Sequence, residues 1–336
     1  MKKIFIAILT FFTMSHIVMA ADIVGAGSTF AAPLYAKWGE NFKKEANINL
    51  NYQAIGSGAG VNQIINKTVD FGATDAPLSA ADLDKNKFIQ FPTAIGAIVP
   101  VINITGVKSG DLVLDGPTLA NIYLGTIKKW DDPQIAKLNP NVKLPKADII
   151  VAYRSDSSGT TFNFTNYLSK VSLPWKQQIG EAQSPAWVTG AGAKGNDGVA
   201  ALVKNTVNSI GYVEYAYAKP NNLTWARMIN RSGKVVSPTV DTIKAAAANA
   251  PWDKTPGFGV ILTDQAGNDS WPITSATFVL VYKVNDSAAR LSQTKQVLKF
   301  FGWAYDNGSA SANILDYVTL PDNIIHLIKA QWSDIK

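Results

Sequence analysis

Arg154 opens the run Arg154-Ser155-Asp156-Ser157-Ser158-Gly159-Thr160-Thr161, in which one permanent positive charge is followed by small hydroxyl-bearing residues. Two earlier segments have the same character, Gly25-Ala26-Gly27-Ser28-Thr29-Phe30 and Gly56-Ser57-Gly58-Ala59-Gly60. Each stands where a strand would turn into a helix. A helix N-terminus leaves N–H groups free and carries a partial positive charge, so such a loop suits an anion. One loop alone says little, because Ser and Thr are also ordinary N-caps. Three of them, with one Arg and a nearby Asp, suggest a single anion held by many neutral hydrogen bonds.

Taken one by one, the candidates keep two readings each. The planar guanidinium of Arg154 suits an oxyanion, and it equally reads as a surface Arg paired with Asp156, which would fix it. Ser158, Gly159 and Thr160 offer two hydroxyls and consecutive N–H groups, or simply a capped helix start. Thr29, Phe30 and Ser57 share that ambiguity, and Gly58 and Gly60 also read as turn residues. Asp75 stands out, because a carboxylate repels an anion unless that anion still carries a proton to donate. Its other reading is a turn cap before Pro77.

Known catalytic patterns are missing. The first glycine segment lacks the third glycine of a dinucleotide loop, and no Gly-Lys-Ser/Thr ending marks a nucleotide-binding loop. Of two histidines, His16 falls in the leader described below and His326 lies near the C-terminus in a helical setting. With no cysteine, a zinc site or other bound metal is not expected, nor is a cofactor. A Ser-His-Asp hydrolase would need that remote His326. A carboxylate-dependent phosphoesterase remains open on composition alone. The nine Trp and eleven Tyr fall mostly at core-like spacings.

Around these loops, β-type runs alternate with helical patterns. Strands are expected at 22–26, 48–52, 98–104, 149–153, 210–215 and 278–282. Helices are expected at 33–44, with Leu34, Trp38 and Phe42 recurring every four residues, and at 61–66, 117–123, 133–138, 162–169, 199–204, 292–306 and 321–332. Weak periodicity over 224–268 reads as loops and edge structure. Such alternation predicts an α/β fold with parallel or mixed sheets flanked by helices. Ligands of open α/β sheets sit beyond the carboxyl ends of strands, so loops this far apart in the chain place the site between two domains.

Residues 1–20 read as a cleaved signal peptide: a basic start, an apolar run and Val18-Met19-Ala20 before Ala21. The expected mature protein is soluble and periplasmic, and with no cysteine its core must hold it unaided. Loss of Lys2 and Lys3 lowers the formal charge from +6 to +4, too mild a surplus for a nucleic-acid surface.

Several segments together resemble the periplasmic phosphate-binding proteins of bacterial high-affinity phosphate ABC transporters. They include the three loops above, Val69-Asp70-Phe71-Gly72-Ala73-Thr74-Asp75-Ala76-Pro77-Leu78, Gly195-Asn196-Asp197-Gly198, Ile210-Gly211-Tyr212-Val213-Glu214-Tyr215 and Trp271-Pro272-Ile273-Thr274-Ser275. The likeness spans nearly the whole mature chain. It implies a two-domain binding protein: domain I from 21–95 and 271–336, domain II from 96–270, and one inorganic phosphate in the cleft. It further implies phosphate contacts from Thr29, the Phe30 N–H, Ser57, Asp75, Arg154, Ser158, the Gly159 N–H and Thr160, with Asp156 supporting Arg154. The implied partner is a membrane-embedded ABC permease, and the implied molecule is a non-catalytic monomer.

Overall fold

A computed structural model describes residues 22–248 and 250–336; the signal peptide expected at 1–20 lies outside the described residues. The chain begins with β1 (Ile23–Gly27), α1 (Ala32–Ala46), β2 (Leu50–Ala54), α2 (Ser57–Ile65), β3 (Phe71–Thr74) and α3 (Ala80–Asn86). The long strand β4 (Phe88–Asn103) follows, then β5 (Val113–Leu114), α4 (Gly116–Tyr123) and α5 (Pro133–Leu138). Next come β6 (Ile150–Arg154), α6 (Gly159–Val171), α7 (Leu173–Gln178), β7 (Ala191–Ala193), α8 (Gly195–Asn205), β8 (Ser209–Glu214) and α9 (Tyr215–Ala218). The segment expected to be irregular carries β9 (Thr224–Trp225), β10 (Arg227–Ile229), β11 (Val235–Val236) and a helix, α10 (Val240–Ala248). The chain closes with β12 (Thr274–Tyr282), α11 (Ala288–Asn307), α12 (Ser309–Ile314) and α13 (Asp322–Gln331).

One mixed sheet runs through the protein in the order β2-β1-β3-β12-β4-β8-β6-β7, and β9 also pairs with β4. The β1 strand is parallel to β2 and β3, and β6 is parallel to β8 and β7. Antiparallel β12 and β4 join the two parallel groups. Residues Phe88 to Ala97 of β4 pair with β12, and Ile98 to Asn103 pair with β8. The partner changes between Ala97 and Ile98, so the domain boundary expected between 95 and 96 falls inside one continuous strand. Nearly every residue of β4 is buried, which explains why it shows no apolar–polar alternation.

Helix α1 buries Leu34, Tyr35, Trp38 and Phe42 on one stripe and ends at Asn47 in the left-handed region. Trp38 also donates its indole N–H to the Gly308 carbonyl at 2.9 Å. Tyr35 and Phe71 each pack edge-on to Phe301, at 5.5 and 5.2 Å between ring centroids. Buried aromatics of this kind each contribute about 1.5–3 kcal/mol, which is how a cysteine-free chain holds its core.

Several elements begin earlier than expected, among them α6, α8 and α11 by three or four residues, and three further shifts have a clear physical reason. Helix α2 starts at Ser57, not 61, because Gly60 is a helical residue: a Cβ there would meet the Gly27 Cα at 2.3 Å and the Ala26 oxygen at 2.6 Å. Glycine permits close helix–strand approach at that point rather than a turn. Of Gly56, Gly58 and Gly60, only Gly56 has a positive φ, at 96°. Strand β4 begins ten residues early, its first half disguised by Gln90, Pro92 and Thr93. Strand β12 begins at Thr274, since its buried Thr274, Ser275 and Thr277 do not read as core.

Candidate functional site

The loops after β1, β2, β3, β6 and β7 converge at the carboxyl ends of their strands, on either side of the β4–β12 junction. They bring together every residue expected in the site. Thr29, Phe30, Ser57, Asp75, Arg154, Ser158 and Thr160 are all buried, as is Gly159 at the start of α6. The walls touch. The Gly58 N–H donates to the Ser157 oxygen at 3.0 Å, and Asn163 donates to the Asp75 oxygen at 2.7 Å. Tyr217 donates to the Thr29 oxygen at 2.7 Å.

Arg154, the last residue of β6, is 2 % exposed. Its Nε and Nη2 donate to the two carboxylate oxygens of Asp156 at 2.7 and 2.5 Å, and Nη1 points to the Thr160 Oγ1 at 3.4 Å. Burial would push the Asp156 carboxyl up, but the Arg154 hydrogen bonds and charge, with the Gly195 N–H at 3.1 Å, hold it below its usual range. This bidentate pair fixes the guanidinium in one plane.

Asp75 follows β3 and is held by hydroxyls. Ser28 and Thr277 donate to its Oδ1 at 2.5 and 2.6 Å, and Ser57 reaches Oδ2 only at 3.5 Å. Burial pushes the carboxyl up, the hydroxyl bonds and Arg154 pull it down, and it settles at about 6. Near neutral pH it is therefore an ionised acceptor whose Oδ2 is weakly used within the protein.

The hydroxyls share one arrangement. Ser57 Oγ accepts the Asp75 N–H at 3.1 Å, and Ser158 Oγ accepts the Thr161 N–H at 3.0 Å as an N-cap. Thr29 and Thr160 Oγ1 accept from the Asn196 amide at 2.8 and 3.4 Å. Each oxygen is anchored as an acceptor, and a hydroxyl so anchored keeps its own proton for another partner. Helices α1, α2 and α8 begin at the same place without a side-chain cap. The Phe30 N–H itself donates to Ser28 Oγ at 3.0 Å. Together these groups form a buried site of hydroxyls, N–H dipoles, one guanidinium and one carboxylate.

Sequence reasoning missed the supporting residues. Ser28 and Asn196 lie inside the segments Gly25–Phe30 and Gly195–Gly198, so the short polar motifs themselves were the available signal. Asn163, Tyr217 and Thr277 reach the site from a distance, and nothing local marks them. His326 is exposed on α13, with Nδ1 against the Asp322 oxygen at 2.7 Å, and takes no part.

Comparison with known proteins matches residues 16–307 to the PBP superfamily domain. The chain is 50 % identical over 332 residues to the phosphate-binding protein PstS of Haemophilus influenzae, covering 99 % of this chain and 98 % of that one. It is 50 % identical to the PstS of Pasteurella multocida, covering 98 % and 95 %. Among solved structures it is similar to a high affinity periplasmic phosphate-binding protein bound with phosphate. That likeness has a TM-score of 0.73 at 21 % identity and covers 92 % and 93 % of the two chains. Another is a putative phosphate ABC transporter substrate-binding protein of Clostridium perfringens, with a TM-score of 0.65 at 16 % identity, covering 89 % and 100 %.

Proposed function

The chain belongs to the phosphate-binding proteins of the PBP superfamily, and from that membership we propose that it binds one inorganic phosphate ion for import. Thr29, the Phe30 N–H, Ser57, Asp75, Arg154, Ser158, the Gly159 N–H and Thr160 are the proposed contacts, with Asp156 and Asn196 holding Arg154 and the hydroxyls in place. The observation that carries the reading is the common anchoring of Thr29, Ser57, Ser158 and Thr160 as acceptors, which leaves the hydroxyl protons of Thr29, Ser158 and Thr160, and that of Ser57 beyond its long 3.5 Å contact with Asp75, to donate to one anion.

Phosphate near neutral pH keeps at least one proton, and Asp75 Oδ2 is the acceptor proposed for it. Sulfate has no such proton, and would set a like charge and a lone pair against a buried carboxylate. The guanidinium of Arg154 supplies the only full positive charge among the proposed contacts.

The proposed cycle has no chemical step. Two lobes, meeting where β4 changes partner between Ala97 and Ile98, open and close on the ion, and the loaded monomer delivers it to an inner-membrane ABC permease. A periplasmic location after signal cleavage fits this role. Among the described residues, no helix is long and apolar enough to cross a membrane. Titration calorimetry of the purified mature chain with phosphate tests the reading: one ion per chain is expected. Absence of saturable binding would overturn it, and turnover of a chromogenic phosphate ester would replace it with an enzyme.

A further inference from the structure

Glu214, the last residue of β8, is fully buried beside the site and is not among the proposed contacts. Its Oε2 lies 2.8 Å from the Ala216 N–H and 2.9 Å from the Tyr317 hydroxyl, while Oε1 has no hydrogen-bond partner. Tyr317 comes from the C-terminal part of the chain, and the same hydroxyl lies 2.5 Å from the Phe30 carbonyl. A phenol has one hydrogen, and a carbonyl oxygen only accepts. At 2.5 Å that hydrogen belongs to the Phe30 carbonyl. The Tyr317 oxygen then faces Glu214 with lone pairs, and an ionised carboxylate there would meet them with lone pairs of its own.

We infer that Glu214 is held as the neutral acid, and that its O–H donates to Tyr317, which donates to the Phe30 carbonyl, making Glu214 and Tyr317 positioning residues for the anion site. The relay joins the end of β8, the C-terminal segment and the loop before α1. It fixes the peptide whose neighbours, Thr29 and the Phe30 N–H, border the anion; for this last point it rests on the phosphate reading. Of the two states of this carboxyl, only the neutral acid can both accept the Ala216 N–H and donate to Tyr317 from a single oxygen. A glutamine places either an NH₂ against the Ala216 N–H or an amide oxygen that cannot donate to Tyr317.

The surroundings agree. Burial pushes the Glu214 carboxyl well above its ordinary range, and the Asp316 charge adds to this, against the hydrogen bonds of Tyr317 and the Ala216 N–H. Asp316 is itself paired with Lys219 at 2.6 Å. Across β4 the residue paired with Glu214 is Ile98. Tyr215 follows it in the chain, Tyr217 stands near it, and around Tyr217 stand Asp75, Asp197 and Arg154. None of these offers Glu214 a direct positive partner.

Infrared difference spectroscopy of wild type against Glu214→Gln at neutral pH tests the inference without any ligand. A protonated-carboxyl carbonyl band present in wild type and missing from the variant is expected. No such band would mean an ionised Glu214 and would overturn the relay. Tyr317→Phe keeps the ring against Phe30 but leaves the Phe30 carbonyl and the Glu214 O–H unpaired, so it should melt lower than wild type, stay folded at 25 °C, and bind phosphate about tenfold more weakly there. Unchanged affinity in Tyr317→Phe would remove the positioning role. If wild type itself bound no phosphate, the proposed function would fall, while the infrared band would still decide the state of Glu214.

Discussion

Arg154 and Asp156 meet through two parallel hydrogen bonds at 2.7 and 2.5 Å, which leaves both Nη1 hydrogens and one on Nη2 free of Asp156, with Nη1 turned toward Thr160. A positive charge held this way is aimed before any ion arrives. Such preorganisation spares the ordering cost that a free Arg side chain would incur on binding.

Arg154→Ala removes the one full positive contact and leaves the neutral donors. Losing a charge-assisted bond costs roughly 1.5–3 kcal/mol, so phosphate affinity should fall by about one to two decades. Arg154→Lys should recover only part of this, because an ammonium cannot form the fork. Calorimetric titration of the three proteins checks it, and an unchanged affinity in Arg154→Ala would remove Arg154 from the site.

Gly159→Ala probes how tightly the walls meet. A Cβ at Gly159 would lie 2.4 Å from Ser57 Oγ and 2.7 Å from both the Cβ and the N of Asp75, on the facing wall. The backbone there is not left-handed, so alanine costs the helix nothing. The expected outcome is a melting temperature close to wild type and a phosphate affinity lower by at least about tenfold, since the walls must stand apart. Small-angle scattering should then show a larger radius in phosphate than wild type has. Wild-type affinity in this variant would mean that closure to this contact is not needed.

The three anion loops were legible because their chemistry is local: small polar residues directly before a helix leave few other uses for that sequence. The supports were not, because they are joined by folding rather than by spacing. Thr277 holds Asp75 across 202 residues and Tyr317 holds Phe30 across 287. The alternation of strands and helices was legible too, yet the first half of β4 was hidden. A strand buried on both faces gives no period-2 pattern, and Pro92 and Gln90 read as breaks. Gly60 misled in the opposite way, since glycine marks both turns and close packing.

Asp75 sets a pH dependence of stability. Its folded-state value of about 6 lies above the ordinary 3.8, so the folded protein holds a proton there that the unfolded chain has released. The stabilisation is present in full below about pH 4, is lost as pH rises through about 6, and stays lost above it, for a total on the order of 3 kcal/mol. Melting temperatures of wild type minus those of Asp75→Asn, in phosphate-free buffer, should therefore fall across that window and then level off. A difference that rises with pH would mean that Asp75 is stabilised as the anion.

Whether Asp75 reads the phosphate proton shows most directly in discrimination between two tetrahedral anions. Calorimetric titrations of phosphate and sulfate into wild type and Asp75→Asn, at one salt concentration and about pH 8, place Asp75 and most of the phosphate in defined protonation states. The asparagine can still accept from the phosphate O–H through its amide oxygen, and its NH₂ can turn to donate to sulfate. Wild type is expected to prefer phosphate strongly. The variant is expected to bind phosphate only modestly differently, with a preference over sulfate lower by at least about tenfold. A preference in Asp75→Asn as large as in wild type would contradict the proton-reading role of Asp75.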